Sequence, residues 1–229
     1  MRPYPYVAVL FDMDGTIIDN VPLHQAVWQE FTRQYQLFIP EQELDYAIGR
    51  KAAEVIKHFW PAATPDEVSR LLRERQELYR VQLADSDLVH PVAGIEAFLT
   101  RLGGMGVPRV LATDAPPENV EAVFRKFGFA PFFEKIVTSD QVHHGKPHPE
   151  IFLTGANSVG AIPNRCLVIE DSSAGIAAAK AAECTCLGIS TTQSQAQLLL
   201  EGADFVAADF HALPEEWAAE GNLGAGEQP

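Results

Sequence analysis

The chain has 229 residues, 47% of them hydrophobic, which is enough for one large domain or for a core with a small second domain. Its formal net charge of −14 offers no basic field to a phosphate backbone, so we expect neither a nucleic acid nor an anionic membrane as a partner. No run approaches the roughly eighteen apolar residues of a membrane span, and no apolar signal core precedes the first predicted strand, so we expect a cytoplasmic protein.

The first predicted element is a strand over residues 6–11, which are apolar and rich in β-branched and aromatic types, as in a strand buried on both faces of a parallel sheet. Asp12 and Asp14 follow it, at the strand end where open α/β sheets bind ligands. Burying both carboxylates alone would be unfavourable, and Mg²⁺, with oxygen ligands and bound phosphate, would compensate them. Gly15 permits a sharp turn, and the Thr16 hydroxyl could hold an anion. The stretch predicts a metal-assisted phosphate site.

The pattern Asp-x-Asp-Gly also occurs in calcium loops and in surface turns. An EF-hand loop has Asp or Asn at its fifth position and Gly at its sixth, where this chain has Thr16 and Ile17. This departure argues against the calcium loop, and the surface turn stays open on this stretch alone.

Apolar residues then recur at helical spacing, and no strand is predicted between Asn20 and Asp87. Pro22 suits the first turn of a helix that contains Val27 and Phe31. Further helices are predicted at about Gln42–Ile48, Lys51–Trp60 and Pro65–Ala84. We therefore predict a helical insertion, residues 20–87, joined to the remainder by short linkers near residues 15–21 and 85–92.

From Val92 onward, predicted helices and strands alternate, as in a doubly wound α/β domain. The predicted strands are Val107–Thr113, Lys135–Thr138, Cys166–Glu170, Thr185–Ile189 and Phe205–Val206. The predicted helices are Ala93–Leu102, Pro117–Phe127, Pro149–Val159, Ala174–Ala182 and Ser194–Glu201. We predict an α/β core over residues 1–19 and 88–220, and a polar, Gly-rich tail, residues 221–229, that is disordered.

Polar side chains stand where several of these later elements begin or end. They are Thr113, Asp114, Lys146, Glu170 and Asp171. Each has an ordinary structural alternative, since threonine is common in turns, a turn lysine is usually exposed, and acids often cap helices. His143 and His144 precede the lysine, and we interpret them as loop residues rather than metal ligands. The three cysteines form no spaced framework and are predicted to pack in the core.

Four segments resemble, in order, motifs I to IV of the haloacid dehalogenase-like (HAD) superfamily. They are Phe11–Asp19, Thr113–Asp114, Gly145–Glu150 and Leu167–Gly175. The first is similar in particular to the branch that contains β-phosphoglucomutase and small-metabolite phosphatases. The resemblance implies a doubly wound, Rossmann-like parallel-sheet core with the helical insertion as an all-helical cap domain.

The resemblance also implies roles for the motif residues. Asp12 would be the nucleophile and Asp14 the general acid and base. Thr113 would bind the transferring phosphoryl group, and Lys146 would pair with the nucleophile and with phosphoryl oxygens.

The cofactor that the resemblance implies is Mg²⁺. Its ligands would be the Asp12 carboxylate, the Asp14 backbone carbonyl and the Asp171 carboxylate. Glu170 would support these ligands from behind.

Substrate contacts are expected from both parts of the chain. The predicted substrate-binding residues are Gly15, Thr16, His24, Gly49, Arg50, Arg75 and Asp114. His24 stands where β-phosphoglucomutase has a histidine that couples cap closure to catalysis. Gly49-Arg50 resembles the cap loop that reaches into the site, and Arg75 lies near the place of a mutase lysine.

Two departures from the mutase pattern favour hydrolysis over phosphoryl transfer to a sugar phosphate. Ile48 replaces a lysine and Ala52 replaces a phosphate-binding arginine, and a mutase needs such cations to hold a bisphosphate. Arg50, Lys51 and Arg75 could substitute for them, so a β-phosphoglucomutase-like phosphotransferase remains the alternative.

Two other classes are less favoured. The dehalogenase branch lacks the second Asp of motif I, which is present here as Asp14. A non-catalytic binding protein on the same fold would be indicated by loss of a motif residue, and none is lost. We therefore predict a Mg²⁺-dependent phosphohydrolase that acts on a small, sugar-like phosphorylated metabolite through an aspartyl-phosphate.

Overall fold

The computed structural model describes residues 5–37, 39–40 and 52–213. The predicted helix Gln42–Ile48, the residues Gly49, Arg50 and Lys51, and the predicted tail 221–229 lie outside this part of the chain. In the part described, no helix combines the length and the apolar character required to cross a bilayer.

A six-stranded sheet forms the centre of the molecule, with strand order β5-β4-β1-β6-β7-β8. All of its neighbouring strands run parallel. The strands are β1 Ala8–Phe11, β4 Arg109–Ala112, β5 Lys135–Val137, β6 Cys166–Glu170, β7 Thr185–Ile189 and β8 Phe205–Ala207. The predicted parallel α/β sheet is confirmed, and most of its strands are one to three residues shorter than predicted or end within a residue of the prediction.

The first strand is buried on both faces, as its uniform apolar sequence predicts. Val9 and Phe11 belong to one apolar cluster, and Ala8 and Leu10 belong to another, because successive side chains of a strand point to opposite faces. All four are fully inaccessible to solvent. Flanking helices cover both faces, so β1 is the interior strand from which the catalytic motif emerges.

Eight helices are present among the described residues, and the first three belong to the predicted insertion. These are α1 Val21–Gln34, α2 Ala52–Phe59 and α3 Pro65–Asp85. The others are α4 Ile95–Gly104, α5 Pro117–Phe127, α6 Glu150–Ser158, α7 Ser173–Ala181 and α8 Gln195–Leu200. A reciprocal capping box between Thr64 and Glu67 fixes the start of α3 at the predicted Pro65.

The helices α1, α2 and α3 share an apolar cluster of their own. Its buried residues include Trp28, Phe31, Val55, Ile56, Val68 and Leu71. The opposite side of α3 also contributes Tyr79 and Leu83 to the larger cluster on the sheet. The insertion therefore has an internal core and also packs against the sheet domain.

The two linkers of the insertion are paired, which the sequence does not predict. Strand β2, Ile18–Asp19, runs antiparallel to β3, His90–Pro91. The backbone N–H of Val92 also donates to the carbonyl of Ile17 at 3.0 Å. A two-residue pairing has no periodicity in the sequence, so only the folded chain reveals it.

The three cysteines are buried and unpaired, as predicted. They lie in the apolar cluster on one face of the sheet. Burial raises the pKa of the Cys166 thiol to about 11 and that of Cys184 to about 12. They therefore serve as small core residues.

Candidate active site

The polar residues that follow four neighbouring strands meet at the carboxyl edge of the sheet. Asp12 follows β1, Thr113 follows β4, and Glu170 and Asp171 end β6. Because β1 lies between β4 and β6, parallel strands bring these side chains to one place. All are buried. This arrangement explains why residues far apart in the sequence form one site.

Lys146 places a buried ammonium group between two of these carboxylates. Its Nζ lies 2.5 Å from Oδ1 of Asp12 and 2.6 Å from Oε1 of Glu170. Burial by itself would lower the lysine pKa, but the nearby charges of Asp12, Glu170 and Asp114 raise it above its ordinary value. Lys146 is therefore a fixed positive charge, and the turn-lysine alternative is excluded.

The loop that carries Lys146 is held by Asp114. The carboxylate of Asp114 accepts the backbone N–H of Lys146 at 3.0 Å and 3.3 Å. Asp114 was predicted to contact substrate, and this contact gives it a structural partner instead. Thr113 is buried beside it, and its Oγ1 accepts the backbone N–H of Ala115 at 3.1 Å.

The carboxylates of Asp12, Glu170 and Asp171 form a cluster in which one oxygen of each lies within 4.8 Å of the others. Burial raises the pKa of Asp12 to about 7, with Lys146 opposing the shift. Burial raises the pKa of Asp171 well above its ordinary value, and the charges of Glu170 and Asp12 add to it. One ammonium thus faces three carboxylates, and this excess of charge and the all-oxygen donor set fit a hard divalent cation such as Mg²⁺.

Two glycines permit the close approach of these acids to the backbone. Gly15 has a φ of +76°, and a Cβ there would lie 2.1 Å from Oδ2 of Asp171. A Cβ on Gly175 would lie 1.8 Å from the Glu170 carboxyl carbon. Glu170 accepts backbone N–H groups from Asp171 and Ser172 at 3.0 Å and 3.2 Å, which fixes its carboxylate at the start of α7.

Two threonine hydroxyls orient Asp171. Thr16 Oγ1 donates to Oδ1 at 3.3 Å, and Thr192 Oγ1 lies 2.7 Å from Oδ2. Thr191 donates from its hydroxyl to the carbonyl of Gly15. The predicted anion contact of Thr16 is thus accompanied by a contact with an acid. Thr191 and Thr192 were missed, although they follow β7 at the same edge of the sheet, which is the signal that could have found them.

The Asp14 carboxyl is held by residues of the insertion rather than by Lys146. Asn20 Nδ2 donates to Oδ1 of Asp14 at 2.7 Å and to the Tyr79 hydroxyl at 2.9 Å. Burial raises the pKa of Asp14 and the hydrogen bond from Asn20 opposes that shift. Asn20 precedes α1 but makes no capping bond with its side chain. Sequence reasoning missed both Asn20 and Tyr79, because an Asn before a helix is ordinarily a cap.

His24 and Arg75 extend this network into the insertion. The His24 ring stacks on Tyr79 with centroids 4.9 Å apart, and its Nδ1 lies 2.9 Å from Nη2 of Arg75. Burial and the charge of Arg75 lower the pKa of His24 to about 3, so the imidazole is neutral. Arg75 is 4% exposed, and its guanidinium lies over the Trp28 ring at 4.5 Å. These contacts of Arg75 are with the protein itself, and Gly49 and Arg50 lie outside the described residues.

Comparison with known proteins gives a consistent result. Residues 6–183 match a family model described as haloacid dehalogenase-like hydrolase. The chain is 32% identical to fructose-1-phosphate phosphatase YqaB of Escherichia coli strain K12 over 178 residues, which are 77% of this chain and 93% of that protein. It is 30% identical over 205 residues to validoxylamine A 7'-phosphate phosphatase of Streptomyces hygroscopicus subsp. limoneus, covering 90% and 94% of the two chains. A crystal structure of a HAD hydrolase, family IA, variant 3, from Entamoeba histolytica superposes with a TM-score of 0.85 at 29% identity, covering 92% and 96% of the chains.

Proposed function

The chain belongs to the haloacid dehalogenase-like hydrolase family, and we propose that it is a Mg²⁺-dependent phosphatase of a small, sugar-like phosphate ester. The observation that carries the proposal is the buried ammonium of Lys146 between Asp12 and Glu170, beside Asp171. Phosphoryl transfer requires a nucleophile, a metal and a positive charge around the same phosphorus, and this edge of the sheet supplies residues for all three.

Mg²⁺ would be held by the carboxylates of Asp12 and Asp171 and by the backbone carbonyl of Asp14, with Glu170 behind them. When bound, it would neutralise charge on the phosphoryl oxygens. Lys146 would bind one of these oxygens while it orients Asp12. Thr113 lies at the end of the neighbouring strand β4 and would hold another oxygen through its hydroxyl.

The reaction would proceed in two displacements at phosphorus. A carboxylate oxygen of Asp12 forms a bond to phosphorus, and the bond from phosphorus to the ester oxygen breaks, while Asp14 donates a proton to the leaving alcohol. Asp14 then accepts a proton from water as its oxygen attacks phosphorus, and the bond to Asp12 breaks to release phosphate. The raised pKa of Asp14 suits both steps, because it allows this carboxyl to be protonated nearer to neutral pH.

We propose that the helical insertion, residues 20–87, is a cap that covers the substrate and that the sheet domain comprises residues 1–19 and 88–220. The paired linkers β2 and β3 would then be the hinge through which the cap moves. His24 and Arg75 would relay the cap position to Asp14 through Asn20. The substrate would be a small phosphorylated metabolite, by analogy with the sugar-like phosphates in the names of the two curated phosphatases.

Hydrolysis is favoured over transfer to a second sugar phosphate. Ala52 begins α2, and its methyl group cannot pair with a distal phosphate in the way that an arginine does. Without that grip, water is the commoner acceptor of the phosphoryl group from Asp12.

The test is to incubate the protein and Mg²⁺ with a panel of small phosphate esters that includes fructose 1-phosphate, following inorganic phosphate. A parallel sample contains β-glucose 1-phosphate and a trace of its 1,6-bisphosphate, and is assayed for glucose 6-phosphate as well. Phosphate release in excess of isomerisation supports the phosphatase. Rapid isomerisation with little phosphate release would establish the mutase alternative.

A further inference from the structure

A second group of metal-binding side chains lies on the surface, at the start of α6. One ligand atom from each of His144, His148 and Glu150 lies within 4.8 Å of the others. Nδ1 of His144 is 3.0 Å from Oε2 of Glu150, and Nδ1 of His148 is 3.8 Å from the same oxygen. Ligands of a tetrahedral Zn²⁺ are separated by about 3.3 Å, given metal–ligand bonds of about 2 Å. The observed separations bracket that value.

The Glu150 carboxylate is fixed in place and charged. Its two oxygens accept the backbone N–H groups of His143 and His144 at 2.9 Å and 3.0 Å. These hydrogen bonds, with that from the His144 ring, lower the pKa of Glu150 to about 2. The residue thus presents a constant negative charge to the two imidazole rings, whose centroids are 4.6 Å apart.

The donor set differs in kind from that of the candidate active site. Two imidazole nitrogens and one carboxylate oxygen suit Zn²⁺ and similar borderline cations, and leave a fourth position for water. The cluster of Asp12, Glu170 and Asp171 offers only oxygen, which suits Mg²⁺. Two sites of different selectivity are therefore available on one chain.

We propose that His144, His148 and Glu150 form a site for Zn²⁺ or a cation of the same class, distinct from the Mg²⁺ site. The earlier interpretation of His144 as a plain loop residue is revised, because the turn around Gly145–Pro149 brings it to His148. Lys146 lies between the two histidines in sequence, and the cation closes that loop. The ion therefore restrains the segment that positions the catalytic ammonium against Asp12.

Zn²⁺ titrated by calorimetry into the full-length protein, with Mg²⁺ in large excess, tests this site without substrate. Wild-type protein is expected to bind one Zn²⁺, and His144→Ala and His148→Ala each to weaken binding by about tenfold or more. His143→Ala is the matched control and keeps wild-type affinity, since its ring is outside the trio.

Hydrogen exchange provides a second readout. Zn²⁺ should slow exchange of the backbone amides of residues 143–148 in the wild type and in His143→Ala, and leave them unchanged in His148→Ala. Equal Zn²⁺ affinity in His144→Ala, His148→Ala and wild type would overturn the proposal. Loss of Zn²⁺ binding in Asp171→Asn with retention in His148→Ala would also overturn it, by assigning the ion to the active site. Because no turnover is measured, these outcomes are independent of the proposed phosphatase activity.

Discussion

Lys146 and Asp12 are separated by 134 positions in the sequence, and their Nζ and Oδ1 atoms lie 2.5 Å apart in a site closed to solvent. A buried ammonium in contact with a carboxylate is stable only when both partners are present. The pair therefore supports the fold as well as the proposed chemistry. It also carries the consequence that removing either charge leaves the other uncompensated.

Replacing Lys146 by Met is expected to abolish phosphatase activity and to destabilise the protein. Three carboxylates would then remain in the buried site without a cation, at a cost of about 3–5 kcal/mol. Denaturant unfolding with and without Mg²⁺ measures the cost, and Mg²⁺ should restore part of it. Lys135→Met, on an exposed lysine of β5, is the control and should unfold like the wild type. Equal stability of the two variants would contradict this account of Lys146.

Removing Mg²⁺ is expected to lower the melting temperature and to stop turnover. An ion that binds only the folded protein stabilises it by about 2.7 kcal/mol at a hundred times its dissociation constant. Thermal unfolding in EDTA and in excess Mg²⁺ measures the difference. Asp171→Asn should lose most of the response, because it removes one carboxylate of the cluster. A response of the wild-type size in Asp171→Asn would place the ion elsewhere.

The neutral, buried His24 predicts a loss of stability in acid. Its pKa is lowered to about 3 in the folded protein, against about 6.5 when unfolded, so the unfolded chain binds the extra proton more readily. Its contribution is complete above pH 6.5 and is lost as pH falls from 6.5 toward 3, by up to about 1.4 kcal/mol per pH unit. Denaturant unfolding at several pH values should show a shallower decline in His24→Gln. His58→Gln, on an exposed histidine of α2, should keep the wild-type decline.

Asn20→Ala is expected to lower kcat by roughly 10- to 100-fold with a small change in KM. The Asn20 amide holds Asp14 and the Tyr79 hydroxyl but has no place among the proposed phosphate ligands, so its loss misplaces the proton donor and leaves binding intact. Tyr79→Phe keeps the ring against His24 and removes only the second contact, so its effect should be smaller. Steady-state kinetics on the best ester of the panel separates kcat from KM. A change in KM alone would remove Asn20 from the positioning of Asp14.

Sequence reasoning located Asp12, Asp14, Thr113, Lys146, Glu170 and Asp171, and the structure brings five of these six to one edge of the sheet or to Lys146, with Asp14 beside them on Asn20. It succeeded because a buried strand has a recognisable apolar sequence and its carboxyl end is where ligands bind. Contacts between the insertion and the sheet domain, such as that of Asn20 with Tyr79, leave no local pattern. The grouping of His144 with His148 and Glu150 likewise depends on the path of a loop, which no periodicity encodes.

Detection of the phosphorylated protein tests the central proposal most directly. Asp14→Asn keeps the nucleophile and loses the base that activates water, and p-nitrophenyl phosphate has a leaving group that needs no proton. Mixing this variant with p-nitrophenyl phosphate and Mg²⁺ should give a burst of one p-nitrophenol per protein, and mass spectrometry after acid quenching should find one phosphoryl group on Asp12. The double variant Asp12→Asn/Asp14→Asn should show neither. A burst of the same size in the double variant, or a phosphoryl group on another residue, would contradict Asp12 as the nucleophile.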